Sequence, residues 1–227
     1  MIIITGASRG IGYYLLHKFL NENEKVIGLY NKTKPLDLND NNYFKADITD
    51  ENEILQFVAR KRDDLNNIVL LNFAGINYSS FAHKSDSKLW QQVIAVNLIG
   101  TFLVIKNLLP IMREQGYGRI INASSVLAQK GIPGTSAYAA SKAALSGLAK
   151  SIAVENASKD ITINNLNLGY FDIGMIHEVT ENVKEMILAN IPTGSFGKPE
   201  VIFNAVRFLI EADYMTGSSI DINGGLF

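Results

Sequence analysis

Ile2-Ile3-Ile4-Thr5-Gly6-Ala7-Ser8-Arg9-Gly10-Ile11-Gly12 is the stretch around which the rest of the chain is read. Three β-branched apolar residues make a short strand, and the glycines that follow end it at once. From residue 11 to 23 an amphipathic helical pattern takes over, so the loop joins a strand to a helix N-terminus. Such an end presents unpaired N–H groups and the positive pole of the peptide dipoles, and glycines let a phosphate come close to the backbone. Gly6, Ser8, Arg9, Gly10, Ile11 and Gly12 are therefore candidate anion-binding residues. A plain structural turn is the alternative, and the position directly after an N-terminal strand weighs against it.

Outward from this loop, short β-rich runs alternate with longer amphipathic stretches, as expected when strands cross over through helices into a parallel sheet. Strands are expected at residues 2–4, 25–29, 43–46, 67–72, 119–123, 162–168 and 219–222, and helices at 11–23, 51–64, 87–113, 137–158, 179–190 and 200–212. In the helix at 137–158, Ala140, Ala144, Leu148 and Ile152 are expected to form the close-packing stripe. Residues 31–42, with Pro35 and several Asn and Asp, read as a loop in place of a crossover helix. The expectation is a single-domain α/β Rossmann fold over residues 1–227, with a doubly wound parallel sheet of about seven strands.

A net charge of −1 gives no electrostatic footprint for nucleic acid or an anionic membrane. The absence of cysteine excludes disulfides and thiol catalysis, and His17, His83 and His177 lie too far apart for a metal site, so no metal is expected. Ile2 to Ile4 is too short for a signal-peptide core, and no later run reaches the ~18 continuous apolar residues of a membrane span. A cytoplasmic protein acting on a small molecule is expected.

Tyr138-Ala139-Ala140-Ser141-Lys142 places a phenol and an ammonium four positions apart, about 40° from each other around a helix. An ammonium beside a phenol is expected to lower its pKa toward working pH and suit it to acid and base work. Asn97 sits in an apolar helical segment where an unpaired amide would cost about 1–3 kcal/mol, so a partner or a function is expected for it. Ser124-Ser125 follows the strand at 119–123, near the edge where open α/β sheets bind ligands.

Thr-Gly-x-x-x-Gly-x-Gly together with Tyr-x-x-x-Lys resembles the short-chain dehydrogenase/reductase family over nearly the whole chain. The resemblance implies a nicotinamide-dependent oxidoreductase interconverting a ketone and a secondary alcohol. It selects Ser125, thirteen residues before Tyr138, as the carbonyl-holding serine, and leaves Ser124 as a turn or cap. It further implies a proton relay of Asn97, Ser125, Tyr138 and Lys142, with a water held at Asn97. Asp47 and Ile48 resemble the pair that contacts adenine, although Asp47 or Asp50 also reads as a helix cap. Asn72-Phe73-Ala74-Gly75 matches Asn-Asn-Ala-Gly except at Phe73, which removes an amide that ties the sheet together. Tyr138 and Lys142 also count among the cofactor contacts.

The second strand ends in Leu29-Tyr30-Asn31-Lys32, without the carboxylate that would bond a ribose 2′-hydroxyl, while Arg9 and Lys32 suit a 2′-phosphate. NADP(H) is therefore expected over NAD(H). Gly169 and Ile173, in Asn167-Leu168-Gly169-Tyr170-Phe171-Asp172-Ile173, resemble the segment that meets the nicotinamide. Leu168 replaces a proline and Ile173 a threonine, leaving the Ile173 amide to bond the carboxamide. Residues 170–199 are expected to carry a short lid. The resemblance extends to 3-oxoacyl-acyl-carrier-protein reductases of fatty acid biosynthesis, with Arg113 and Lys159 as carrier-facing charges and a homotetramer or homodimer as the assembly. A sugar, polyol or other small-alcohol dehydrogenase is the alternative, and a non-catalytic dinucleotide-binding protein a second one.

Overall fold

The computed structural model describes residues 1–35 and 41–226. Among these, seven strands form one parallel sheet: β1 (Ile2–Thr5), β2 (Val26–Tyr30), β3 (Tyr43–Lys45), β4 (Val69–Asn72), β5 (Gly118–Ser125), β6 (Ile161–Leu168) and β7 (Ser219–Ile222). Their order is β3-β2-β1-β4-β5-β6-β7, the expected doubly wound arrangement. Successive side chains point to opposite faces, so each strand feeds two cores. Ile3, Leu70, Ile120 and Ile163 pack on one side, under α2 (Glu51–Lys61) and the helix pair α4 (Thr101–Gln115) and α5 (Ser136–Asn156). Ile4, Leu71, Ile121 and Leu166 pack on the other, under α1 (Gly10–Asn21) and α7 (Pro199–Glu211). Each fully buried Leu, Ile or Phe contributes about 1.5–3 kcal/mol, which is why near-continuous apolar strands occupy the middle layer.

The expected helix at 87–113 is a continuous helical run of three parts: α3 (Ser87–Ile94), a π-helical stretch Ala95–Gly100, and α4. Ser87–Gln115 is long and apolar enough to cross a membrane by length and composition, although Asn97, Thr101 and Lys106 interrupt it, in keeping with the expectation of no continuous apolar run of that length. Val104, Ile105, Leu108, Ile111 and Met112 of this run are wholly or almost wholly buried against the sheet. Their apolarity is spent on the core.

The packing face of α5 needs correction. Its buried residues are Ala137, Ser141, Lys142, Leu145, Ala149, Ile152, Ala153 and Asn156, whereas Ala140 is exposed and Ala144 only partly covered. Small residues run all the way round this helix, so periodicity alone does not single out a face. The link between β2 and β3 has no helix in its described part, and residues 36–40 of the expected shortened crossover lie outside the described residues.

The order reverses at β1, with β2 on one side and β4 on the other. The loops leaving the carboxyl ends of β1 and β4 therefore diverge to opposite faces and leave a crevice between them. After β6 the chain forms a 3-10 turn Gly174–Glu178 and the short helix α6 (Glu181–Leu188), and a bridge between Phe171 and Gly197 closes the base of this lid segment.

Candidate active site

The glycine loop connects β1 to α1 at the crevice. Gly6 has φ +70°, and a Cβ there would stand 2.6 Å from the Cα of Ala74, so the loops after β1 and β4 touch at a point that only glycine permits. Arg9 supplies no side-chain cap to α1 and the first turn holds no acid, which leaves the helix's positive end to an outside anion. It opens on a cleft of about 1140 Å³. Gly6, Ser8, Arg9, Gly10, Ile11, Gly12, Asn31, Lys32, Asp47, Ile48, Ala74, Gly75, Gly169 and Ile173 all line this cleft, as do Ser125, Tyr138 and Lys142.

Charge is arranged unevenly along it. Burial works against the charge of Asp47, but hydrogen bonds from the Thr49 N–H and hydroxyl and from Asn31, with Lys32 nearby, outweigh it and hold the carboxyl below its ordinary value. The helix cap is Asp50, which accepts from the Asn52 N–H, so Asp47 is free of that duty and faces the cleft. Arg9 is paired: its Nη1 lies 2.6 Å from Oε1 of Glu178, at the end of the 3-10 turn of the lid.

Tyr138 and Lys142 sit on the first turns of α5, facing the carboxyl end of β5, where Ser125 ends the strand. Lys142 is 4% exposed and donates from Nζ to the Ala123 carbonyl at 2.6 Å, with Nζ 5.6 Å from the centre of the Tyr138 ring. Burial lowers its pKa to about 8. Burial pushes the Tyr138 phenol up to about 12, a hydrogen bond with Ser125 pulls the other way, and Tyr170 adds a further rise. The expected lowering of the tyrosine is thus reversed, because desolvation of the phenol dominates its surroundings. The phenol is held as a proton donor. Ser125 Oγ also accepts from the Leu127 N–H at 3.2 Å, so the cap-like bond belongs to Ser125, while Ser124 donates to the Lys142 carbonyl at 3.2 Å and ties β5 to α5.

Asn97 stands behind this surface. A Cβ on Gly75 would lie 3.4 Å from Asn97 Oδ1 and 3.6 Å from Lys142 Nζ, so one glycine separates the two groups. The amide is fully buried and satisfied by protein: Oδ1 accepts from the Ile76 N–H at 2.9 Å, and Nδ2 donates to the Ile76 carbonyl at 2.9 Å and to Ser141 Oγ at 3.0 Å. Ser141, lying between Tyr138 and Lys142 in sequence, is a site residue that the sequence reading passed over. Its only local signal is a hydroxyl on the buried side of a helix.

The departures from the family pattern have structural answers. Asn72 donates to Asn122 at 2.9 Å and Asn122 to Asn165 at 3.0 Å, in one register row across β4, β5 and β6, so the sheet keeps its amide tie although Phe73 is apolar and packs into the core. Leu168 pairs with Ser125 and Ile222 within the sheet. Gly169 fits because a Cβ would lie 2.6 Å from the Asn223 Cα. The Ile173 N–H is already given to the Phe171 carbonyl at 2.7 Å, so the expectation that it is available for a carboxamide is corrected.

Arg113 and Lys159 are corrected as carrier-facing charges. Arg113 bonds Asn156 at 2.6 Å, and both cations flank the ends where Gly118 pairs with Ile161, opposite the edge that holds Ser125. Tyr170, Met175 and Glu178 line the cleft without having been singled out from sequence. Nothing local marks them, since their placement depends on how the lid folds back.

The family model described as short chain dehydrogenase matches residues 1–184. Acetoacetyl-CoA reductase of Rhizobium meliloti is 36% identical, with 99% of this chain and 97% of that protein covered. The 3-oxoacyl-acyl-carrier-protein reductase FabG of Thermotoga maritima is 35% identical, covering 99% and 96%. Among solved structures, ligand-free aldohexose dehydrogenase of Thermoplasma acidophilum superposes with a TM-score of 0.88 at 28% identity, covering 99% of this chain and 92% of that one.

Proposed function

The chain belongs to the short-chain dehydrogenase family, and from that premise we propose that it is an NADPH-dependent ketoreductase acting on 3-oxoacyl thioesters carried on acyl carrier protein, in fatty acid biosynthesis. The observation that carries this reading is the meeting of Ser125, Tyr138 and Lys142 at the carboxyl edge of the sheet, beside an uncapped helix end in one cleft of about 1140 Å³. The residues present fit the cofactor, which supplies the hydride when bound. Gly6 to Gly12 would take its phosphates, Asp47 and Ile48 the adenosine end, and Ala74, Gly75, Lys142 and Gly169 the nicotinamide end.

Ser125 holds the carbonyl oxygen, and Tyr138 gives its proton to that oxygen as charge develops there. Lys142 keeps an ammonium close to the phenol, and Asn97 fixes the backbone at Ile76 next to it. The relay water assigned to Asn97 falls to its backbone surroundings, because the side chain is fully engaged. The preference for NADPH rests on Arg9 and Lys32 in the cleft and on the absence of a carboxylate at the end of β2. A homotetramer, or a homodimer, is part of the same proposal, supported by the exposed small-residue side of α5. So is cytoplasmic location, where acyl thioesters of this kind are handled.

The test mixes purified protein with NADPH or NADH and an acetoacetyl thioester and follows loss of reduced-cofactor absorbance, beside a Tyr138→Phe control. Turnover that prefers NADPH and vanishes in the control is the expected result. Turnover of sugars or polyols in its place would support the second reading, which the likeness to aldohexose dehydrogenase favours. Cofactor binding without turnover of any carbonyl would overturn both in favour of a non-catalytic dinucleotide-binding protein.

A further inference from the structure

Glu178 occupies the cation that the cofactor's 2′-phosphate needs. Its Oε1 is 2.6 Å from Arg9 Nη1, and both side chains line the cleft and are more than half exposed, so the pair is made in water at the mouth of the phosphate loop. The backbone beneath it is in contact as well. A Cβ on Gly10 would stand 3.2 Å from the Gly174 Cα, and one on Gly174 would stand 3.4 Å from the Gly10 Cα. The turn Gly174–Glu178 is therefore seated on the first turn of α1 at one end and pinned to it by charge at the other. The first turn of α1 holds no acid of its own. Asp172, the next acid in the segment, faces His177 at 3.4 Å.

We propose that Glu178 is a cofactor-specificity residue: its carboxylate stands in for the phosphate at Arg9, and a 2′-phosphorylated dinucleotide must displace it. This rests on the reading that Arg9 takes the 2′-phosphate. A phosphate approaching Arg9 meets a carboxylate that both holds the guanidinium and repels the incoming charge. An unphosphorylated dinucleotide places a hydroxyl there and has no claim on the cation. The protein thus gives up part of its affinity for NADPH and leaves its affinity for NADH untouched. Displacing Glu178 also releases the end of the lid turn from the glycine loop.

The test is direct titration of cofactor by fluorescence or calorimetry, without turnover, on wild type, Glu178→Gln, Arg9→Gln and the double variant. Adenosine 2′,5′-bisphosphate, compared with adenosine 5′-monophosphate, serves as a probe of the 2′-phosphate. Removing one exposed competing charge is expected to tighten NADPH and the bisphosphate about threefold to tenfold, with NADH unchanged. In the Arg9→Gln background the same change is expected to do nothing. Equal effects on NADPH and NADH, no effect on either, or an undiminished effect without Arg9 would overturn the role of Glu178 while leaving the cofactor reading intact. A wild type that binds NADPH no better than NADH, with Arg9→Gln altering neither, would overturn the cofactor reading itself and this proposal with it.

Discussion

Lys142 carries the largest electrostatic cost in the described part of the site, a nearly fully buried ammonium whose sole hydrogen bond is to the Ala123 carbonyl. Its pKa in the fold, about 8, lies below the ordinary lysine value, so the charged form destabilises the fold in full below pH 8. That penalty fades as pH rises from about 8 to about 10.5, because the unfolded chain then binds the extra proton. Lys142→Met is expected to be more stable than wild type by about 1–3 kcal/mol at pH 7 in denaturant titrations, with the advantage shrinking through that window. Turnover should be lost in the same variant. For Tyr138 the sign is the opposite: with its pKa raised to about 12, the phenol stays protonated through the working range. Carbonyl reduction is therefore expected to be insensitive to this group between pH 6 and 9, whereas alcohol oxidation, which needs the phenolate, should climb about tenfold per pH unit in rate profiles. Tyr138→Phe should lower both directions by about 10²–10⁴.

At the scale of elements, the asparagine row explains how a fully covered parallel sheet tolerates amides at its centre. Asn72, Asn122 and Asn165 sit at matched register positions, with Thr5 and Ser219 continuing the row on either side. Each amide donates in the same direction along the row, and Asn165 ends it on the Leu145 carbonyl and Ser219. Asn122 is the shared member. Asn122→Leu removes an acceptor from Asn72 and a donor from Asn165, leaving two buried polar groups unpaired, and is expected to cost about 2–4 kcal/mol by chemical denaturation. The π-helical stretch at Ala95–Gly100 has a similar logic. A widened turn lets Asn97 reach the backbone at Ile76, across the base of the site.

At the scale of the whole molecule, the sheet is covered on both faces, yet apolar surface remains outside. Ile99 and Phe102 on the helical run and Val154 on α5 are each more than 40% exposed. Ala140 on α5 is exposed as well, and small residues allow a second helix to approach closely. Association of copies through this side of α4 and α5 is expected. Light scattering should give a mass at least twice that of one chain, and Phe102→Glu with Val154→Glu should reduce it without altering the far-ultraviolet spectrum.

Much of this architecture was legible in one dimension. The strand-loop-helix opening, the seven apolar runs and the Tyr-x-x-x-Lys spacing report on local geometry, and local geometry follows from neighbours in the chain. Their placement at one sheet edge then follows from the parallel crossover rule. The buried face of α5, the pairing of Arg9 with Glu178, the partner of Asn97 and the reversal of the Tyr138 shift were decided only in three dimensions. Each depends on residues far apart in the chain or on the exclusion of water, and neither distance across the fold nor desolvation leaves a periodic trace in sequence.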